Sequence, residues 1–139
     1  MTEALENAFE AAFARYEQGE AASTLIPTFE ELSEKFNRSD AVWTCLAWLY
    51  LLDAQAEKAL KAARAAVRIN PADPQARVNL SLAMLETGST GVRDEIAVAK
   101  RLMSADAEVK ANIKNNLDEG QKRRKDWLFI TRVQSWVEE

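Results

Sequence analysis

Between Asp40 and Asp73 the apolar residues, the small residues and one proline fall where two packed antiparallel helices need them. Trp43, Leu46 and Tyr50 recur at helical spacing on one segment, and Ala59, Ala63 and Ala66 do so on the next. Ala47, Ala59 and Ala66 are small enough for the two helix axes to approach closely, as ridges-into-grooves packing requires at a crossing. Pro71 has no backbone N–H with which to continue the second helix, and it biases Asn70 away from helix, so the unit closes there. A helical hairpin is the strongest local constraint in the chain.

These residues resemble the tetratricopeptide repeat, a helix-turn-helix family of about 34 residues per repeat whose pattern sets a Trp, a Leu, a small residue and a Tyr ahead of an Ala pair and a closing Pro. Trp43, Leu46, Ala47, Tyr50, Ala59, Ala66 and Pro71 match in register, while Ala63 stands where the family usually has an aromatic and Ala54 where it usually has Gly. The resemblance implies an all-α, right-handed α-solenoid of about three such repeats with a C-terminal capping helix. Its parts are a degenerate repeat over about 6–39, a clear one over 40–73, a partly degenerate one over 74–105, and C-terminal helices over 106–139, all in one domain.

The flanking segments follow the same period. About Thr2 to Gln18, the residues Leu5, Phe9, Ala12, Phe13 and Tyr16 share one face, with Thr2 as an N-cap and Gly19 as a stop. Phe9 and Tyr16 stand 34 residues before Trp43 and Tyr50, although Phe13 is bulky where the family is small and Asn37 replaces the closing proline. The partner helix, roughly Thr24 to Phe36, offers Leu25, Phe29, Leu32 and Phe36, with Pro27 expected in its first turn. Pro74 opens a third repeat 34 residues after Asp40, with Leu80, Ser81, Met84 and Gly88 in register and Arg77 in place of the Trp. Val92, Ile96, Ala99 and Met103 then form a face if the turn Ser89-Thr90-Gly91 is about three residues longer than usual, a cheap insertion that reads as a tolerated loop.

Beyond Ser104 a helix is expected from about Asp106 to Glu119, with Val109, Ile113 and Leu117 inward and Gly120 ending it. A last amphipathic helix places Trp127, Ile130, Val133 and Val137 on one face, flanked by Phe129 and Trp136. A stack of repeats leaves the apolar face of its last hairpin uncovered, so capping is the plain role of this helix. The alternative is that it docks in a partner or folds back into the protein's own groove. The dense basic run Lys122, Arg123, Arg124 and Lys125 falls at its start and reads as a solvated linker, or else as a secondary site for an acidic protein, membrane or nucleic-acid surface.

Composition narrows the function classes. A chain of 139 residues, 47% hydrophobic and 29% charged, has the length and balance of one soluble globular domain with its own core. It has no histidine and a single cysteine, Cys45, so an intrachain disulfide and a His/Cys metal site are excluded, and Cys45 inside an apolar helix reads as a small core residue. Met1-Thr2-Glu3-Ala4 does not start a basic-then-apolar leader, and the longest nearly apolar run, Val42–Leu52, is too short to span a bilayer. The expected setting is the cytoplasm or a stroma-like soluble compartment, without membrane insertion. A net charge of −4 argues against nucleic acid as the main partner. The paired carboxylates Glu30-Glu31, Asp94-Glu95 and Glu138-Glu139 read as solvated or first-turn helix residues. Phosphate loops, nucleophile elbows and metal-ligand spacings do not occur, so neither an enzyme nor a cofactor is expected.

What the resemblance implies is a non-catalytic adaptor or assembly factor that holds an apolar helix or extended peptide of another protein in a groove. The family's groove-lining positions fall here on Asn7, Glu10, Ala14, Glu17 and Gln18, then on Ala41, Thr44, Trp48, Leu51 and Leu52, and then on Gln75, Val78, Leu82, Leu85 and Glu86. Of the polar set that clamps a terminal carboxylate only Asn79 survives, which speaks against chaperone tails as ligands. The partner-binding groove is thus expected at Glu10, Ala14, Thr44, Trp48, Leu51, Leu52, Val78, Asn79, Leu82 and Glu86. Trp48 has the chemistry of an interface hot spot, or else packs under the chain's own terminal helix. The competing class is a self-associating scaffold that uses the groove or the Trp-rich C-terminal helix, with a homo-oligomer as its product.

Overall fold

The structure, a computed structural model, describes residues 2–139 and consists of α-helices joined by short turns, with no strand among the described residues. The elements are α1 (Glu3–Glu17), α2 (Ala22–Lys35), α3 (Asp40–Leu52), α4 (Ala56–Ile69), α5 (Pro74–Thr87), α6 (Val92–Ser104), α7 (Ala107–Arg123) and α8 (Leu128–Glu138). Each helix through α6 packs on the next, and α3 also packs on α5. None of the described helices is long and apolar enough to cross a membrane.

Local chemistry sets most of the boundaries. The hydroxyl of Thr2 accepts from the Leu5 N–H at 3.2 Å and starts α1, the Ser39 hydroxyl accepts from Val42 N–H and starts α3, and the Asp73 carboxylate accepts from Gln75 N–H at 3.0 Å ahead of Pro74. Leu46, Ala47 and Tyr50 of α3 and Ala59, Ala63 and Ala66 of α4 are all buried, so the small residues do lie in the core of that hairpin. α3 is buried on nearly every side, with Val42, Thr44 and Leu46 to Leu51 inside. It contacts α2, α4 and α5 at once, which accounts for its apolar character all round.

Four expectations need correction. α2 begins at Ala22, earlier than Thr24, because the Thr24 hydroxyl turns back to the Ala21 carbonyl at 2.9 Å and the Glu20 carboxylate at 3.0 Å. Pro27 is therefore inside α2 and not in its first turn, where it removes the N–H that would serve the Ser23 carbonyl. The connection from α5 to α6, residues 88–91, is only one residue longer than that from α3 to α4, residues 53–55. The rest of the slip comes from α5 itself, at 14 residues against 13 for α3. Gly120 does not end α7, which runs on to Arg123. The basic run consequently closes α7 and forms the turn before α8 instead of opening the last helix.

α8 covers the end of the stack. Trp127, Ile130, Val133 and Val137 are at most 2% exposed, and α8 packs against α5, α6 and α7. Burial on that scale contributes about 1.5–3 kcal/mol per large apolar side chain. The ion pairs Lys114–Glu138 and Lys100–Glu139, at 3.3 and 3.6 Å with solvent-facing glutamates, contribute far less, so apolar burial fixes the helix.

Ala54, at the turn between α3 and α4, adopts φ 57°, the only non-glycine residue with positive φ among those described. A Cβ in this region costs about 1–2 kcal/mol, and Ala54 is exposed, so nothing in its packing offsets that cost. Ala54→Gly should therefore raise the unfolding free energy by roughly 0.5–1 kcal/mol once the added chain entropy of glycine is subtracted. Urea denaturation of the two proteins checks this, and a lower midpoint for the glycine variant contradicts the assigned backbone.

Candidate functional site

α7 runs across α5, α3 and α1 in turn. Asn116 donates to Gln75 of α5 at 2.9 Å, Gly120 lies on Trp48 of α3, and Arg123 reaches the end of α1. The groove face foreseen from the sequence is thus covered by the chain itself. Thr44, Trp48, Leu51, Val78, Asn79 and Leu82 come together and are buried, and Leu52 is half-buried. Glu10 is exposed and Ala14 half-buried on α1.

Trp48 is the centre of this closure. Its indole N–H donates to Tyr16 Oη at 3.0 Å, and its ring lies 5.6 Å from that of Trp127 at a tilt of 48°. Gly120 supplies the third contact. A Cβ at that position would lie 2.6 Å from two ring carbons of Trp48 and 3.2 Å from Ile130 Cδ1. Glycine inside a helix costs about 1 kcal/mol relative to alanine, and here it makes the space in which the indole sits.

The two middle residues of the basic run lock the same seam. Arg123 donates to the carbonyls of Tyr16 at 2.6 Å and Glu20 at 3.1 Å, and its guanidinium carbon lies 3.9 Å from the Tyr16 ring centroid. Arg124 donates to the Leu51 carbonyl at 2.7 Å and pairs with Glu86 at 2.7 Å, with its guanidinium 4.9 Å from the Trp127 ring. Tyr16 and Leu51 stand in the last turns of α1 and α3, where the helix dipole favours cations and each carbonyl, already accepting from the N–H of Gly19 or Ala54, has a second lone pair to offer. The solvated-linker reading therefore holds only for Lys122 and Lys125, which are exposed, and fails for Arg123 and Arg124.

Burial raises the Glu86 carboxyl above its ordinary pKa, although Arg124 beside it pulls the other way. A carboxyl with a raised folded pKa favours the folded state most at low pH, and that contribution is lost as pH rises through the raised value. Glu86 Oε2 and Trp127 Nε1 are both buried without a hydrogen-bond partner. The ion pair positions the turn more than it stabilises it.

Beside Trp48 a cavity of about 100 Å³ remains open among residues of α1, α2, α3, α5 and α7. Phe13, Tyr16, Phe29, Cys45, Trp48 and Leu49 form its apolar wall, and the polar residues Thr44, Gln75, Asn79 and Asn116 complete it. The polar groups are chained together. Asn116 donates to Gln75, Gln75 donates to Asn79 at 2.8 Å, and Asn79 donates to the Thr44 carbonyl at 3.1 Å. Burial pushes the Cys45 thiol up to about 12, so it keeps its proton and acts as an apolar wall atom, not as a nucleophile.

Several of these residues were read from sequence as packing only, namely Phe13, Tyr16, Phe29 and Cys45, and Leu49 was not singled out. Asn116, Gly120 and the arginine pair were not placed at the groove at all. A signal for Gly120 did exist, since a glycine inside a helix-periodic segment marks a close backbone approach as readily as a helix end. No protein-family model matches the chain, and no curated protein matches it either.

Gly120→Ala separates helix preference from packing, because the two act with opposite signs. Alanine is the better helix former by about 1 kcal/mol, whereas overpacking at a filled contact costs roughly 1–3 kcal/mol. Trp48 is held by Tyr16 and Trp127 and cannot swing away freely, so the variant should be the less stable protein by denaturant titration, with altered Trp fluorescence. A stabilised variant contradicts the contact.

Proposed function

We propose that this protein is a non-catalytic protein-binding module of tetratricopeptide-like hairpins, α1–α2, α3–α4 and α5–α6, stacked as a right-handed solenoid and closed by α7–α8. It holds an apolar segment of a partner on the part of its groove that its own C-terminal helices leave open. The repeat reading is supported by the 34-residue recurrence and by the burial of Leu46, Ala47, Tyr50, Ala59 and Ala66. The binding reading rests on one observation: the uncovered remainder of the groove is a cavity with an aromatic and aliphatic wall and no charged residue. An apolar cavity beside a few convergent polar groups is the usual form of a recognition site.

Self-association is the second reading, and Leu128 favours it. This residue is 81% exposed at the start of the Trp-rich helix. The remaining apolar face of that helix is engaged within the chain, which leaves little area for a stable dimer. Sedimentation velocity across the micromolar range separates the two, because a concentration-independent monomer leaves only the adaptor.

The adaptor reading is tested by selecting binders from a displayed random peptide library. Peptides with an apolar anchor should be enriched, and Phe13→Glu, which puts a charge on the half-buried rim of the cavity, should weaken them at least tenfold, about 1.4 kcal/mol. The variant should keep its helical circular dichroism. A selection that yields nothing, or peptides indifferent to Phe13→Glu, contradicts the proposal.

A further inference from the structure

We infer that the cavity walled by Phe13, Phe29, Cys45, Trp48 and Leu49 is an anchor pocket for one uncharged aliphatic side chain of leucine size, carried on a partner's peptide segment. Tyr16 and Asn116 are placed to meet the peptide groups beside that side chain. The inference rests on the protein-binding reading above and names the chemistry that reading leaves open.

Size gives the first argument. An apolar cavity of about 150 Å³ takes a benzene ring, so one of about 100 Å³ is matched in size by a branched group of four or five heavy atoms and is too small to enclose an indole. Charge gives the second. Every residue that lines the cavity is neutral, in a chain in which 29% of residues are charged. A carboxylate or ammonium entering it would lose its hydration with no opposite charge to meet, a heavy penalty, whereas an alkyl group would gain contact.

Unused hydrogen-bonding capacity gives the third. Tyr16 Oη accepts from Trp48 Nε1 and has no acceptor for its own hydrogen, and desolvation raises the Tyr16 pKa, so the phenol stays a donor at neutral pH. Thr44, 9% exposed, borders the same space with a hydroxyl that finds no partner. The Asn116 side-chain carbonyl at the exposed edge is also free, since only its N–H donates, to Gln75. A peptide segment supplies the acceptor that the Tyr16 hydroxyl lacks and the donor that the Asn116 carbonyl lacks.

Preorganisation gives the fourth. Trp48 is shared between the pocket and the seam with Gly120 and Trp127, and the amide chain from Asn116 to the Thr44 carbonyl ties α7, α5 and α3 around the cavity. The pocket is thus continuous with an interface the protein already makes. Its walls are ordered before a ligand arrives, which removes much of the ordering cost of binding.

The test uses the full-length protein and three neutral-backbone probes, the N-acetyl, N′-methylamide derivatives of leucine, glutamate and tryptophan. Heteronuclear NMR follows the Trp48 indole N–H and the Cys45 amide during titration. The leucine probe should give saturable shifts at both and bind at least about tenfold more tightly than either other probe. Tyr16→Phe should weaken the leucine probe while leaving its selectivity intact. Absence of a saturable shift, or equal shifts from the glutamate or tryptophan probe, overturns the assignment. The two readings fail differently. Selected peptides that the leucine probe does not displace leave the module standing and remove the pocket as its anchor. A leucine probe that binds while no peptide is ever selected leaves a small-molecule pocket and removes the partner side chain proposed here.

Discussion

Trp48 is held from three directions: by Tyr16 through a hydrogen bond, by Trp127 through ring contact, and by Gly120 through a missing Cβ. These partners come from α1, from the turn before α8, and from α7, so one side chain joins the first helix to the last two. A single large aromatic can do this because it offers both an extended apolar surface and one directed N–H. The same indole also lines the cavity, together with Phe13 and Phe29.

The arginine contacts have a different character. Arg123 bonds to carbonyls 103 and 107 residues away in sequence, and so closes the ends of the chain on one another. Arg124 does the same at Leu51 and Glu86. Taking these charges out of water is costly, and burial raises the Glu86 pKa although Arg124 beside it pulls the other way. The burial of Trp127, Ile130, Val133 and Val137 supplies the stability. The arginines supply direction, because two adjacent guanidinium groups aimed at two helix ends fix where α7 stops and at what angle α8 leaves.

The sequence was most legible where local spacing along the chain carries the signal. The α3–α4 hairpin, the cap at Thr2 and the inner face of α8 all follow from residue spacing, since each involves interactions only a few residues apart or a single buried stripe. The site was only half legible. The groove-lining set on α3 and α5 was brought together, but a linear pattern carries no sign that a distant helix lies on it. Gly120 shows the difficulty. Read locally, a glycine after a helical stretch is a stop, and only the position of Trp48 on another helix explains why this one lies inside α7. Arg123 and Arg124 were misread for the same reason, because their acceptors are backbone carbonyls, which leave no residue-type signature at all.

The account stands on the closure of the groove face by α7, since the proposed pocket is lined by the same Trp48 that Gly120 and Trp127 contact. Proton NOE spectroscopy on the full-length protein tests this most directly. Strong cross-peaks between the Gly120 Hα protons and the outer ring protons of Trp48, with the Gly120 Hα signals shifted by the indole ring current, are predicted. A Gly120 at ordinary shifts with no contact to Trp48, and a Trp48 indole N–H that exchanges freely with water, would contradict it.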